Sequence, residues 1–138
     1  MMKKPVISAV MVGLAMLFAA AAGVRAEELR IGVLTDLSAK MPTWGAQTVR
    51  GAELAAADLK AAGIDVRLVV EDHALSTAKA VTAFRKLLDV DHVSALYVEF
   101  SLTSMAIAPA VRESRLLALF NAPVRSSVLL GPYSFRSF

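Results

Sequence analysis

Two kinds of hydrophobic pattern alternate along the chain. Short runs rich in β-branched residues are typical of buried strands, and longer stretches with an apolar residue every three or four positions are typical of helices. The predicted strands cover residues 29–35, 64–70, 93–98, 116–120 and 133–138. The predicted helices cover residues 43–62, 76–89 and 103–114. Strands that alternate with helices form a parallel sheet with helices on both faces, so the predicted fold class is α/β.

Three residues set the expected limits of these helices. Gly63 ends the first helix, because glycine accepts the left-handed conformation that closes a helix. Ser76 is expected to cap the second helix with its hydroxyl. Pro109 lies inside the third helix and lacks a backbone donor, so we expect a kink or a late start there. Residues 121–132 are expected to form a long polar turn.

The first 26 residues have the pattern of a cleavable signal peptide, here called the leader. Lys3 and Lys4 precede an apolar stretch over residues 6–22, and the segment ends in Val24-Arg25-Ala26 with small residues at the cleavage positions. An uncleaved membrane anchor is the alternative, because residues 6–24 approach the roughly 20 residues that span a bilayer. We predict a signal peptide over residues 1–26 and a mature protein in the periplasm. The absence of cysteine argues against a disulfide-stapled module and against lipid attachment.

The leader also accounts for the positive charge of the chain. The whole sequence has a formal net charge of +3 and is 57% hydrophobic. The leader contains three of the 15 Lys and Arg, which leaves 12 cations against 12 Asp and Glu in the mature chain. These cations are spread singly apart from Arg85-Lys86, whereas nucleic-acid binding usually needs clustered cations. We therefore predict no nucleic-acid partner.

The motifs of common enzymes and metal sites are missing from the sequence. It has no Gly-x-Ser-x-Gly nucleophile motif, and residues 32–45 lack the closely spaced glycines of a dinucleotide-binding turn. His73 and His92 each follow an aspartate, but neighbouring residues of a strand point to opposite faces and cannot bind one ion. We expect both histidines in surface turns. The predictions are therefore no catalytic residue, no metal site and no cofactor.

Candidate binding residues lie in the loops that follow the strands, because ligands of open parallel sheets bind beyond the carboxyl ends of the strands. The three loops are residues 36–44, 99–104 and 121–127. The second loop leads into a helix start whose backbone N–H groups suit a carboxylate, with hydroxyl donors at Ser101, Thr103 and Ser104. The alternative is that one of these hydroxyls only caps the helix. Trp44, in the first loop, is either a packing residue or a platform for a ligand.

Several segments of the sequence together resemble one family of transport proteins. Their order and spacing, taken together, are specific. The segments are Ile31-Gly32-Val33, Trp44-Gly45, Arg50-Gly51-Ala52-Glu53-Leu54-Ala55, Gly63, Val70-Glu71-Asp72, Ala78-Lys79-Ala80-Val81, Ala106-Ile107-Ala108-Pro109-Ala110-Val111 and Gly131-Pro132-Tyr133-Ser134-Phe135-Arg136. Over residues 29–138 the chain is similar to the periplasmic solute-binding proteins of branched-chain amino-acid ABC transporters, the leucine-isoleucine-valine-binding group.

This resemblance implies a type I periplasmic binding fold. In that fold two α/β lobes close on an amino acid or a similar small solute and then dock on an ABC transporter permease in the inner membrane. Residues 27–138 would form a truncated N-terminal lobe of such a binding protein, which is not an enzyme.

The resemblance also implies roles for individual residues. In this family an aromatic side chain packs on the ligand and a serine binds the ligand carboxylate, and these correspond to Trp44 and Ser101. An alanine carbonyl that contacts the ligand corresponds to Ala122. Val124 replaces the threonine expected two residues later, so that contact is lost or moves to Ser126.

The chain departs from the family in two further ways. Glu99 follows the third strand where the family has Gly-Pro, and its carboxylate would repel a ligand carboxylate if it pointed into the pocket. The chain is also much shorter than family members, so we expect weak or no ligand binding by one lobe alone. Two other functions stay open on the sequence: a stand-alone periplasmic α/β domain that binds a protein partner, and a fragment of an exported hydrolase or dehydrogenase.

Overall fold

Residues 28–137, described by a computed structural model, form one five-stranded parallel sheet with helices on both faces. The predicted leader lies outside the described residues. The elements, in chain order, are β1 (Leu29–Thr35), α1 (Pro42–Ala61), β2 (Val66–Asp72), α2 (Thr77–Asp89), β3 (Ala95–Glu99), α3 (Ser101–Ser114), β4 (Leu117–Asn121), α4 (Arg125–Val128) and β5 (Ser134–Arg136). The strand order is β2-β1-β3-β4-β5, and the predicted α/β fold class is confirmed. No helix in this part of the chain is long and apolar enough to cross a bilayer.

The strands lie where the hydrophobic pattern predicts them, but three of them end one or two residues later. The residues added at those ends are polar, namely Glu71, Asp72, Glu99 and Asn121. They stay in the parallel ladders because their side chains find partners inside the protein. Two helix limits are confirmed: Ser76 accepts the N–H of Lys79 at 3.4 Å as the cap of α2, and Gly63 follows α1 with a φ of 84°.

The expectation of a late start at Pro109 is wrong, because α3 begins at Ser101, two residues before the predicted limit. Pro109 lies inside the helix with its side chain exposed. The carbonyl that its missing N–H would have bonded belongs to Met105, one turn back, and Met105 is also exposed. Solvent can therefore satisfy that carbonyl, and the proline is tolerated.

The expectation of a long polar turn over residues 121–132 is also wrong. The segment contains the short helix α4, and Val128 in that helix is fully buried. Val124, Leu129 and Leu130 pack against the same core. Their apolar side chains draw the connection onto the protein instead of leaving it in solvent.

The hydrophobic core lies on one face of the sheet, under α2, α3 and α4. Alternate strand residues point to this face, which is why Leu34, Val98 and Phe120 are fully buried there. The helices contribute Phe84 and Ile107, which are also fully buried. This core fixes the strands whose carboxyl ends carry the candidate binding loops.

The opposite face of the sheet is covered over β1 and β2 by α1, and a groove of about 520 Å³ runs between α1 and the sheet. At the border of that groove, the half-buried Tyr97 and three exposed apolar side chains form what is here called the open face. These side chains are 48% exposed at Leu117, 38% at Leu119 and 51% at Phe135. A row of exposed large apolar side chains on a sheet face is typical of an interaction surface.

Two carboxylates fix the loop between β1 and α1. Asp36 accepts the backbone N–H groups of Ala39 at 2.8 Å and of Met41 at 2.7 Å. Asp72, at the end of β2, accepts the N–H of Leu37 at 2.9 Å and the hydroxyl of Ser38 at 2.5 Å. Burial raises the pKa of each carboxyl, but the hydrogen bonds outweigh it and hold each pKa below its usual value. The loop is therefore anchored by ionised side chains.

The first turn of α1 approaches this loop so closely that only glycine fits at position 45. A Cβ on Gly45 would lie 2.0 Å from the carbonyl oxygen of Asp36 and 2.8 Å from its carbonyl carbon. Those atoms belong to the backbone and cannot turn aside as a flexible side chain would. Gly45 thus sets the position of Trp44 and of the helix start.

The two glycines of α1 give a matched test of this contact. We expect Gly45→Ala to lower the free energy of unfolding by about 2 kcal/mol, because the backbone must shift to admit a methyl group. Gly51→Ala, where no atom lies within 4 Å of the added Cβ, should raise it by up to about 1 kcal/mol through helix propensity. Urea denaturation of both variants checks this, and equal effects would contradict the close contact.

The ionised state of Asp72 predicts a pH-dependent loss in Asp72→Asn. Because the folded pKa lies below the unfolded one, the stabilisation is present above about pH 4 and disappears as pH falls through the folded value. Asp72 is only partly buried, so we expect the variant to lose about 1 kcal/mol at pH 7. Denaturation curves of both proteins should converge below the pKa of the carboxyl. A difference in free energy of unfolding between the two proteins that stays constant with pH would contradict the role of the Asp72 charge.

Candidate functional site

The carboxyl ends of β1, β3 and β4 lie side by side, because these strands are neighbours in the sheet. The three predicted binding loops therefore meet at one edge, here called the carboxyl edge. The fixed β1–α1 loop, the start of α3 and the connection after β4 supply its residues. Ligands of open parallel sheets bind at such an edge, so it is the candidate site.

A buried carboxylate lies directly beneath the carboxyl edge. Glu99 is 4% exposed, and its side chain points to the face of the sheet that carries α1. Four side chains donate hydrogen bonds to it. Oε2 accepts from the hydroxyl of Thr35 at 2.5 Å, and Oε1 accepts from Thr48 at 2.7 Å, Asn121 at 3.1 Å and Tyr97 at 3.5 Å. The carboxylate thus joins β1, β3, β4 and α1.

Tyr97 is held in its protonated state by this arrangement. Burial, followed by the negative charge of Glu99, raises the pKa of Tyr97 to about 12. A protonated phenol donates its hydroxyl hydrogen to the carboxylate. All four side chains that contact the Glu99 carboxylate therefore act as donors at neutral pH.

Glu99 was expected to repel a ligand carboxylate if its own side chain pointed into the site. The structure instead turns Glu99 under α1, where both oxygens are occupied by donors. Its structural role had a signal in the sequence. Glu99 shares a strand face with Tyr97 and stands in register with Asn121 on β4, so all three point to one side.

The expectation of surface turns is wrong for His73, which is fully buried at the end of β2, whereas His92 is exposed. The N–H of Leu75 donates to Nδ1 at 3.1 Å, so Nε2 carries the proton and contacts the carbonyl of Glu99 at 3.3 Å. Burial lowers the pKa of His73, although that carbonyl and nearby carboxylates oppose the shift. His73 is therefore a neutral cross-link between the ends of β2 and β3.

Phe100 directly precedes α3 and has a conformation that favours glycine, with a φ of 68° and a ψ of 133°. Its ring meets the ring of His73 edge to face, with the centroids 5.7 Å apart. A non-glycine residue in such a conformation costs on the order of 1 to 3 kcal/mol. The packing against His73 offsets part of that cost and directs the start of α3.

The three predicted hydroxyl donors occupy different positions on α3. Ser101 is the first residue of the helix and is half-buried at the edge. Thr103 is fully buried and donates to the carbonyls of Glu99 at 2.8 Å and Phe100 at 3.1 Å. Ser104 is fully buried, and its hydroxyl has no partner among the described residues. Of the three, only Ser101 has an accessible side chain.

The remaining predicted residues lie around the same edge. Trp44 belongs to the first turn of α1, not to the loop, and is 62% exposed. Ala122 directly follows β4 and is fully buried. Ser126 belongs to α4, and its side chain lies outside the described part of the chain. Within residues 28–137, no group of three or more His, Asp or Glu side chains is arranged to hold a metal ion.

Solved structures show the same fold. An ABC transporter substrate-binding protein from Sphaerobacter thermophilus is 28% identical with a TM-score of 0.69, and the match covers 80% of this chain and 32% of that one. A leucine-binding protein from Thermotoga maritima is 22% identical with a TM-score of 0.70, covering 78% and 32%. A solute-binding protein of an ABC transporter from Rhodopseudomonas palustris, in complex with 3,4-dihydroxybenzoic acid, is 17% identical with a TM-score of 0.68, covering 79% and 31%.

The chain thus spans about a third of the length of the solved structures it matches. No curated protein matches it in sequence. The family model for periplasmic binding proteins matches residues 28–137, which is the whole of the described chain. Members of this family bind solutes and are not enzymes. The chain belongs to the periplasmic binding protein family, and the described residues form part of its N-terminal lobe.

Proposed function

We propose that this chain contributes the first lobe of the substrate-binding component of an ABC transporter and that a small solute binds at the carboxyl edge. The proposal rests on where three side chains lie relative to the carboxyl edge. The exposed Trp44 and the start of α3 at Ser101 lie at the same edge, while the negative charge of Glu99 is turned beneath it. The edge therefore offers an aromatic surface and hydrogen-bond donors without an opposing carboxylate.

The start of α3 is suited to a carboxylate. Helix α3 has 14 residues and no side chain caps its N-terminus, so its first N–H groups and the positive end of its dipole are left for a ligand. Ser101 adds a hydroxyl donor at that point. The buried Thr103 supports the helix start from inside by donating its hydroxyl to the carbonyls of Glu99 and Phe100.

The other contacts with the solute are assigned from where the remaining residues lie around the carboxyl edge. In this proposal Trp44 covers the apolar part of the solute, and Ala122 contributes its backbone carbonyl on the β4 side. Ser126 takes the polar contact that Val124 cannot make. The solute is an amino acid or a related small carboxylate.

The cellular setting belongs to the same proposal. Residues 1–26 act as a cleaved signal peptide, the protein works in the periplasm, and the loaded protein delivers its solute to a permease of the inner membrane. One lobe contacts a solute from one side only. We therefore expect the chain alone to bind with a dissociation constant of about 1 mM or weaker.

The test is a titration of the chain followed by NMR, which detects weak binding. Trp44 is the only tryptophan, so a single indole N–H signal reports on the edge. Leucine, isoleucine, valine and 3,4-dihydroxybenzoate form the first panel, with leucinamide as a control that lacks the carboxylate. We expect one or more carboxylates to shift the indole signal in a saturable way, and leucinamide not to shift it.

The roles of the edge residues are tested with two serine variants. Ser101→Ala should weaken binding about tenfold, because a hydrogen bond to a charged group is lost. Ser94→Ala is the matched control, since Ser94 is exposed and precedes β3 at the other end of the strand. Equal affinities of the two variants, or shifts that avoid the Trp44 indole, would refute the proposed site.

A further inference from the structure

A separate pocket lies at the opposite end of the sheet, here called the amino edge. It has a volume of about 390 Å³ and sits between the end of α3 and the start of β5. Its lining residues are Arg112, Arg115, Gly131, Pro132, Tyr133 and Ser134. None of them belongs to the carboxyl edge, so this pocket is independent of the solute site proposed above.

Ser134 lines this pocket, and its side chain lies on the face of the sheet that carries α3. It stands in register with Ala118, whose side chain is fully buried on the face of the sheet that carries α3. Neighbours in register point to the same face, so the side chain of Ser134 also points toward α3. Ser134 is 7% exposed, and its hydroxyl makes no hydrogen bond within residues 28–137. A buried hydroxyl without a partner costs free energy unless a ligand or solvent satisfies it.

The pocket carries two positive charges and no acidic residue in its lining. Arg112 lies in the last turn of α3, and its side chain passes over Gly131. A Cβ added to Gly131 would lie 3.6 Å from Cγ of Arg112. Arg115 ends the helix with a φ of 57°. Neither guanidinium takes part in the ion pairs of the described residues.

The helix itself does not outweigh these charges. The C-terminus of a helix carries a partial charge of about −0.5, which opposes an anion. Two full guanidinium charges exceed it, and guanidinium groups present paired N–H donors that match the oxygens of a phosphate. The hydroxyls of Tyr133 and Ser134 supply two further donors at the same place.

We propose that the amino-edge pocket binds a phosphate group, either as the free ion or as part of a small phosphate ester. The two guanidinium groups hold the phosphate oxygens, and the hydroxyl of Ser134 donates to one of them. The open side of the pocket leaves room for the rest of an ester. The site adds an anion-binding function to the lobe that does not depend on the solute at the carboxyl edge.

The test is calorimetric titration of the chain with inorganic phosphate and, separately, with glycerol 3-phosphate at constant ionic strength. We expect saturable binding of at least one of them, and the tighter one identifies the free ion or the ester. Arg112→Gln and Arg115→Gln should each weaken it at least about tenfold. The matched control is Arg50→Gln, which removes the same charge from an exposed position on α1, on the other face of the sheet, and should bind unchanged.

Ser134→Ala separates a binding role from a structural one. It removes an unpaired buried hydroxyl, so thermal denaturation should show unchanged or higher stability while phosphate affinity falls about fivefold. The proposal is overturned if Arg50→Gln weakens binding as much as Arg112→Gln, or if acetate binds as tightly as phosphate. It is also overturned if neither phosphate compound shows saturable binding to a chain that circular dichroism finds folded.

Discussion

The buried carboxylate of Glu99 is the interaction on which the carboxyl edge depends. It accepts hydrogen bonds from Thr35, Thr48 and Asn121, and so ties β1, α1 and β4 to the end of β3. A buried charge is stable only when its oxygens are satisfied, and here donors from four elements satisfy them together. The hydrogen bond from Thr48 holds α1 to this end of the sheet, and the close contact at Gly45 positions Trp44 in its first turn.

The two ends of the sheet differ in chemistry. At the carboxyl edge the acidic group is internal, which leaves the start of α3 available for an anion. At the amino edge two arginines line the same pocket as Ser134, whose hydroxyl has no hydrogen-bond partner among the described residues. Between the edges, Leu119 and Phe135 leave the open face apolar and exposed. The lobe thus presents three surfaces of different character on one rigid sheet.

Much of the fold could be predicted from the sequence. Apolar residues such as Val98 recur at alternate positions in the strands, and apolar residues such as Phe84 recur on the inner faces of the helices, so their spacing identifies each element. The polar ends of the strands could not be located that way. Asp72 and Glu99 resemble loop residues in a hydrophobicity pattern, and only their partners from distant parts of the chain keep them in the sheet. His73 was misplaced for the same reason, since its burial depends on the carbonyl of Glu99 and the ring of Phe100.

If the charge of Glu99 organises the carboxyl edge, its removal in Glu99→Gln should lower the free energy of unfolding. Glutamine keeps the size of the side chain but replaces one acceptor oxygen with an NH₂ group that faces donors. We predict a loss of about 2 kcal/mol relative to Glu53→Gln, an exposed control on α1. If the free energies of unfolding of the two variants agree within about 0.5 kcal/mol, the charge of Glu99 does not organise the edge.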